Sequence, residues 1–440
     1  MSENSYLTQD QEFSTLGNYS LKVTSPILPP LYSTNEVVYF IIELKENNQI
    51  ISTGNISYEL LWDQQETIER GDIQLNGQLI KLPFTAKKPG FVVVEITYKM
   101  GEQVLQKSCG AGFSVDELRP SMEEPNDFHG FWDTQKDKLS KIPIKSSSQE
   151  INFTSHPHLH EYTQKSLLKE DISKVDLSYV SVTCLGKPTE GVLTMPKDRS
   201  EGKHPLVLAL HGAGVGPSQP HNFISHAEKG AIIFEINAHG IPNDQPEQYY
   251  LDLAENELNN YSRNDFKTPE EFYFLGMFIR VKRGLDFLKS LPEWDGKRLF
   301  IRGSSQGGAQ SIAGAYLDQD VTGFISLVSG FCDHSAALIN RAPGWPSLVP
   351  YESGMKPDQN KIEILRYFDS VNFLRNSKAE GLFTIGYLDG TCKPTSIYTA
   401  YNIHNAPHKM MHQPYSAHTI LDDTQNAANQ FMWDHFKKLK

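Results

Sequence analysis

Between Tyr19 and Val115 the apolar positions come in short runs broken by polar turns. Val37-Val-Tyr-Phe-Ile-Ile42, Ser57-Tyr-Glu-Leu-Leu-Trp62 and Phe91-Val-Val-Val-Glu-Ile-Thr-Tyr98 are rich in β-branched and aromatic residues, which suit a pleated, half-buried surface. Glu46-Asn-Asn48, Leu75-Asn-Gly77 and Lys88-Pro-Gly90 supply turns between runs. This spacing predicts a small all-β sandwich of immunoglobulin size, in which no catalytic constellation is visible.

An acidic, Pro-rich stretch follows, Asp116-Glu-Leu-Arg-Pro-Ser-Met-Glu-Glu-Pro125, better suited to a linker than to a helix interior. It predicts a boundary between a sandwich over 1–116 and a second domain over 117–440; with 440 residues, one large domain with insertions is the alternative. Beyond it, Phe128, Phe131 and Trp132 lie at helical spacing behind Asp127 as N-cap, which predicts an amphipathic helix over Asp127 to Leu139.

The pattern then changes to buried-type strands alternating with helices. Leu206–Leu210, Ala231–Ile236, Leu299–Ile301, Phe324–Val328, Leu382–Ile385 and Met410–His412 are strand candidates, and Glu270 to Leu291 is helical, with Phe272, Leu275, Ile279 and Leu288 as its apolar stripe. Near-continuous apolar strands joined by helices predict a mostly parallel sheet covered on both faces, an α/β fold. No internal repeat or low-complexity tract is visible.

Composition narrows the function classes. Hydrophobic residues at 39% and charged residues at 21% describe a chain with a sizeable core. The formal net charge of −12 argues against nucleic acid as a partner, because phosphate tracking needs clustered Lys and Arg. The four cysteines (Cys109, Cys184, Cys332, Cys392) form no CxxC pair, so neither a zinc knuckle nor a disulfide scaffold is signalled. Cys392 is read as packing rather than as a reactive thiol. No run is long enough for a membrane span, and Met1-Ser-Glu-Asn-Ser-Tyr lacks the basic and then apolar character of a secretion signal. The compartment is thus cytoplasmic, or periplasmic or extracellular if the chain is a mature form.

The chemistry concentrates at Gly303-Ser-Ser-Gln-Gly307, which fits G-x-S-x-G between a short apolar strand and the helix-forming Ala309–Ala315. A strand turning sharply into a helix strains Ser305 and lifts its hydroxyl to the sheet edge, while Gly303, Gly307 and Gly308 permit the close approach. The amide of Gln306 then opens a helix, where developing negative charge is favoured. A second amide is expected from His211-Gly-Ala-Gly-Val-Gly216, that of Ala213, completing an oxyanion hole. Ser304, the other hydroxyl, occupies a variable position of the motif.

Such sites run nucleophile, acid, histidine along the chain. Asp389, in the Gly-containing turn after Leu382–Ile385, is the expected orienting acid, with Asp333 in Gly330-Phe-Cys-Asp-His334 as rival. His418 follows the last strand candidate and is the expected general base; His404, His408 and His412 lie nearby but do not follow it. His211 and His239 are expected to shape turns. No metal set or phosphate loop appears, so no cofactor is implied.

Several segments resemble the acetyl xylan esterase and cephalosporin C deacetylase family of carbohydrate esterases. They are Asp127-Phe-His-Gly-Phe-Trp-Asp133, the helix from Phe272-Tyr-Phe through Asp286-Phe-Leu with Pro292-Glu-Trp-Asp-Gly-Lys297, the Ser-Gln-Gly elbow, and Leu388-Asp-Gly-Thr-Cys-Lys-Pro-Thr-Ser-Ile397. The resemblance covers roughly Asp127 to Lys440. It implies an α/β-hydrolase fold, a triad at Ser305, Asp389 and His418, oxyanion amides at Ala213 and Gln306, and a small acetylated carbohydrate as substrate; a homo-oligomer is compatible with it. The sequence departs from the family at Ala238-His-Gly240, at His418-Thr419 and at His211-Gly-Ala213, changes that flank the site and bear on substrate choice and assembly.

The leading expectation is therefore a serine esterase removing acetyl groups from xylan, xylooligosaccharides or other sugars. A peptidase or other acyl hydrolase with the same triad is the competing enzyme, and a carbohydrate-binding protein on a dead hydrolase fold is the non-enzyme alternative. Trp345, Tyr249 and Tyr250 could stack on sugar rings, although core packing is the simpler expectation for each.

Overall fold

The computed structural model describes residues 12–151, 172–349 and 358–439. Strands β1 (Phe13–Leu16), β2 (Tyr19–Thr24), β3 (Leu31–Tyr32), β4 (Val37–Glu46), β5 (Gln49–Ile50), β6 (Asn55–Trp62), β7 (Glu66–Gln74), β8 (Ile80–Thr85), β9 (Gly90–Met100) and β10 (Gln103–Phe113) build the amino-terminal part. One sheet runs β1-β2-β4-β5 with β8 on β4, and the other β3-β10-β9-β6-β7. Pairing is antiparallel except between β3 and β10. In β4 the period of two is plain: Val38, Phe40, Ile42 and Leu44 are buried between the sheets, while Val37 and Tyr39 face out. Strand β9 is instead buried on both faces over Gly90–Val94. Val92 and Val94 join the sandwich core, whereas Phe91 packs into the core of the second part.

Strands β11 (Ser146–Glu150), β12 (Val175–Val182), β13 (Thr189–Pro196), β14 (His204–Leu210), β15 (Ile232–Ile236), β16 (Trp294–Ser304), β17 (Gly323–Leu327), β18 (Glu380–Gly386) and β19 (His408–Gln413) form one nine-stranded sheet in the order β11-β12-β13-β15-β14-β16-β17-β18-β19. The first three pairs, β11 with β12, β12 with β13 and β13 with β15, are antiparallel, and from β15 to β19 all pairs are parallel. The strand order reverses around β14, which pairs with both β15 and β16. In such sheets the crevice beyond the carboxyl ends at this reversal is where ligands bind.

Each anticipated strand of this sheet is present, as is the helix Tyr273–Lys289, although its buried face is broader than the stripe predicted. Of the predicted stripe Phe272, Ile279 and Leu288 are buried and Leu275 is half-buried, while Phe274, Met277, Phe278, Val281 and Leu285 are fully buried as well, because neighbours cover the helix on more than one side. With helices Phe128–Ser140 and Gln306–Leu317 it packs on one face of the sheet, while Ile224–Glu228 and Asp422–Lys438 cover the other. The expected cap on Phe128–Ser140 does not form. Asp127 makes no side-chain bond to the helix, and its carboxylate accepts from the Tyr367 hydroxyl at 2.6 Å instead. Among the described residues no helix is long and apolar enough to cross a membrane.

One buried polar cluster lies under the second face. Glu235 and Arg302 flank Ala209 in register, so their side chains emerge side by side. Asn222 Nδ2 donates to both Glu235 oxygens at 2.9 and 3.2 Å, and Arg302 donates to Asn429 Oδ1 at 2.6 Å. Burial outweighs these partners and pushes the Glu235 carboxyl up to about 7. A raised carboxyl means that the folded state holds a proton the unfolded chain has lost, so this contribution is complete below the unfolded pKa and fades as pH rises through 7. Glu235→Gln should therefore flatten the decline in stability between pH 5 and pH 8, by on the order of 3 kcal/mol in urea titrations. An unchanged pH slope would contradict the assignment.

Candidate active site

Strand β16 ends at Ser304, and helix Gln306–Leu317 starts after a single intervening residue. Ser305, between them, has φ 56° and ψ −117°, a conformation that costs a side-chain-bearing residue about 1–3 kcal/mol and must be enforced by its surroundings. Its N–H donates to Leu327 O at 2.8 Å, and its carbonyl accepts from Gly330 N at 3.0 Å. The flanking glycines are sterically required. A Cβ on Gly303 would lie 2.3 Å from Gly307 O, and one on Gly307 would lie 2.5 Å from Leu210 O. Motif and conformation therefore have one cause, a helix start pressed against the ends of two strands.

The hydroxyl so presented meets His418, whose Nε2 lies 2.9 Å from Ser305 Oγ. The other ring nitrogen, Nδ1, lies 2.7 Å from Asp389 Oδ2. Asp389 is fully buried, and its Oδ1 accepts from the amides of Thr391 and Cys392, each at 2.8 Å. One carboxylate oxygen is thereby committed to the backbone, leaving the other to accept Nδ1–H. In the uncharged imidazole this arrangement turns the Nε2 lone pair toward the serine proton. Ser305 and His418 are only partly buried, so the pair is open to a ligand.

The two loops are tied to each other beneath the histidine. Tyr387 N donates to Gln413 O at 3.1 Å, and Leu388 N to Ser416 O at 3.0 Å. The loop after β14 also reaches the elbow, since a Cβ on Gly212 would lie 3.8 Å from Ser305 Cβ. Ala213, the next residue, is exposed at the rim, and Gln306 opens the helix. Tyr261 was not anticipated. Its hydroxyl donates to Gln306 Oε1 at 2.7 Å and accepts from Gly214 N at 3.3 Å, joining the loop to the helix start. No local pattern marks Tyr261, which lies in a short 3₁₀ turn.

Both other histidines of this region shape turns. His211 accepts from Ala238 N at Nε2 and donates from Nδ1 to Gly212 O. His239 donates from Nε2 to Gly214 O and accepts the Tyr273 hydroxyl at Nδ1; burial pushes it down to about 3, so it stays neutral. The rival acid Asp333 is engaged elsewhere, accepting from Ser121 N and Oγ and pairing with Arg341. His404 bonds to the carbonyls of Leu374 and Ala379, His408 to that of Ala406, and His412 to the Tyr387 hydroxyl. Cys392 is buried beside Asp389, and burial together with that negative charge pushes its thiol well up, as for a packing residue. Tyr250 is also a core residue, its hydroxyl bonded to Pro242 O at 2.8 Å, while Tyr249 and Trp345 are half-buried.

The chain that carries this serine, histidine and carboxylate is similar to known proteins over most of its length. The acetyl esterase Axe7A of Xylanibacter ruminicola is 29% identical over 382 residues, spanning 86% of this chain and 82% of that protein. The acetyl xylan esterases of Paenibacillus sp. R4 and Thermoanaerobacterium sp. JW/SL YS485 each superpose with a TM-score of 0.59 at 20% identity. Each alignment covers 73% of this chain and 98% of the solved one, which shows a common fold. The acetyl xylan esterase (AXE1) family model matches residues 113–435, a span that contains the elbow, both loops and the whole parallel sheet, and the chain accordingly belongs to the acetyl xylan esterase family of carbohydrate esterases.

Proposed function

We propose that the protein is a serine carboxylic-ester hydrolase that removes acetyl groups from acetylated xylan, xylooligosaccharides or related sugars. The observation that carries this reading is the continuous path from Ser305 Oγ to His418 Nε2 at 2.9 Å and from His418 Nδ1 to the buried Asp389 at 2.7 Å. Family membership and the acetyl esterase and acetyl xylan esterase names of its relatives support the choice of acyl group and alcohol.

In the first half-reaction Ser305 Oγ attacks the ester carbonyl carbon while its proton passes to His418 Nε2. The carbonyl electrons collect on oxygen, where the amides of Gln306 and Ala213 are the proposed donors. As the tetrahedral species collapses, the bond to the sugar oxygen breaks and the imidazolium delivers its proton to that oxygen. Water then attacks the acetyl-serine, giving its proton to His418, and acetate leaves as Ser305 regains a proton. Asp389 remains ionised throughout and holds the ring in the working tautomer. We read the facing sheets of the amino-terminal part as an immunoglobulin-like sandwich.

The test is acetate release from acetylated xylooligosaccharides and from 4-nitrophenyl acetate, alongside peptide amides and fluorophosphonate labelling. The reading expects acetate from both esters, no amide cleavage, and Ser305 as the labelled residue. Labelling of Ser305 with amide cleavage alone would make the protein a peptidase; no labelling and no acetate would leave a binding protein.

A further inference from the structure

The amino-terminal sandwich touches both loops that complete the site. Its turn between β6 and β7 holds Asp63, only 3% exposed and at φ 52°, with its N–H donating to Phe91 O at 2.9 Å. The Asp63 carboxylate accepts a short hydrogen bond from Thr395 Oγ1, in the first turn of helix Pro394–Ile403. Lys393, just ahead of that helix, donates from Nζ to Gln64 O at 3.3 Å, and its ammonium lies in the field of both Asp63 and Asp389. The same sandwich grips the histidine loop. Gly110 N donates to Pro414 O at 3.1 Å, and the Tyr415 ring is buried in the sandwich core, with the Lys107 ammonium 5.8 Å from its centre.

From Asp389 to Thr395 the chain leaves little slack. Thr391 and Cys392 clamp the carboxylate through their amides, Lys393 is held by the sandwich turn, and Thr395 by Asp63. Only Lys393 and Pro394 separate Thr395 from the Cys392 amide that, with that of Thr391, fixes Asp389, whose other oxygen holds the His418 ring. Simple domain adhesion would not need a buried carboxylate at this point, since burying one is costly unless it is specifically paired.

We propose that the sandwich is a working part of the esterase: Asp63, acting through Thr395 and Lys393, is a positioning residue that holds the Asp389 loop in register with His418. The proposal rests on the triad reading above.

Its test is kinetic, in the full-length chain. Asp63→Ala and Thr395→Val should each lower kcat for 4-nitrophenyl acetate by roughly 10- to 100-fold with KM nearly unchanged, the scale on which small misplacements act. Labelling of Ser305 by fluorophosphonate should slow in step. Asp63→Asn keeps the shape and an acceptor for the Thr395 hydroxyl and should recover most of kcat, which assigns the effect to the hydrogen bond rather than to the negative charge, while the fall in kcat at constant KM separates positioning from mere packing. If Asp63→Ala fails to fold, the near-isosteric Thr395→Val decides alone. Folded variants with wild-type kcat would overturn the proposal while leaving the esterase reading intact. A rise in KM at constant kcat would also overturn it, placing the sandwich at the substrate instead. Wild-type protein that neither releases acetate nor labels would fail the triad reading itself, and this proposal with it.

Discussion

Replacing Ser305 by alanine is expected to lower kcat for acetyl-ester hydrolysis roughly a millionfold while leaving the fold intact. The hydroxyl oxygen is the atom that would bond to carbon, and nothing near it can take its place. Ser304 precedes it on the strand, and the buried Cys392 holds its proton too tightly to serve as a thiolate nucleophile. Alanine inherits the same positive φ and the same backbone bonds to Leu327 and Gly330, so stability should change little. Circular dichroism and the melting temperature, measured with initial rates on 4-nitrophenyl acetate, check both halves of the expectation. A variant within tenfold of wild type would remove Ser305 from the chemistry.

Asp389→Asn should cost about 10⁴-fold in kcat, for a reason specific to this loop. The amides of Thr391 and Cys392 both require an acceptor at Oδ1. An asparagine would meet them with its carbonyl oxygen and so turn its NH2 toward His418. Facing a donor, Nδ1 must become the acceptor, and the ring proton moves to Nε2, the atom that should receive the serine proton. The fold would survive, since the isosteric amide keeps the loop bonds. Steady-state rates give the size of the loss, and a loss below tenfold would show that the carboxylate neither orients the imidazole nor supports its charge.

Much of the site could be read from the sequence because its parts obey local rules. Gly303 and Gly307 are fixed by contacts within a few residues or with the adjoining strand ends, so the constraint is written as a motif. Asp389 and His418 could be placed because each sits just past an apolar strand whose order along the chain is informative. The first strands of the large sheet were not anticipated. β11 is Ser-Ser-Ser-Gln-Glu, exposed at every position, and joins the sheet by backbone bonding to β12 alone, which no hydrophobic pattern records. Asp127 looked like a helix cap because capping residues are defined by local spacing, but a tyrosine far along the chain competes for its carboxylate. Asp63 was invisible for the same reason in a stronger form. Its partner Thr395 is 332 positions away, and only the folded chain makes them neighbours.

The exchange of side chains between the two halves has a consequence for how this enzyme could have been assembled and can be altered. Phe91 leaves a sandwich strand to fill the hydrolase interior, its ring 4.8 Å from that of Tyr387, and Tyr415 makes the reverse journey. Each half therefore lends the other a ring. A gene shortened to residues 117–440 would yield a catalytic portion with a hole beside Tyr387 and an oily tyrosine stranded in water. The sandwich is for that reason a poor candidate for shuffling among enzymes as a detachable cassette, and variation in the two halves is expected to travel together.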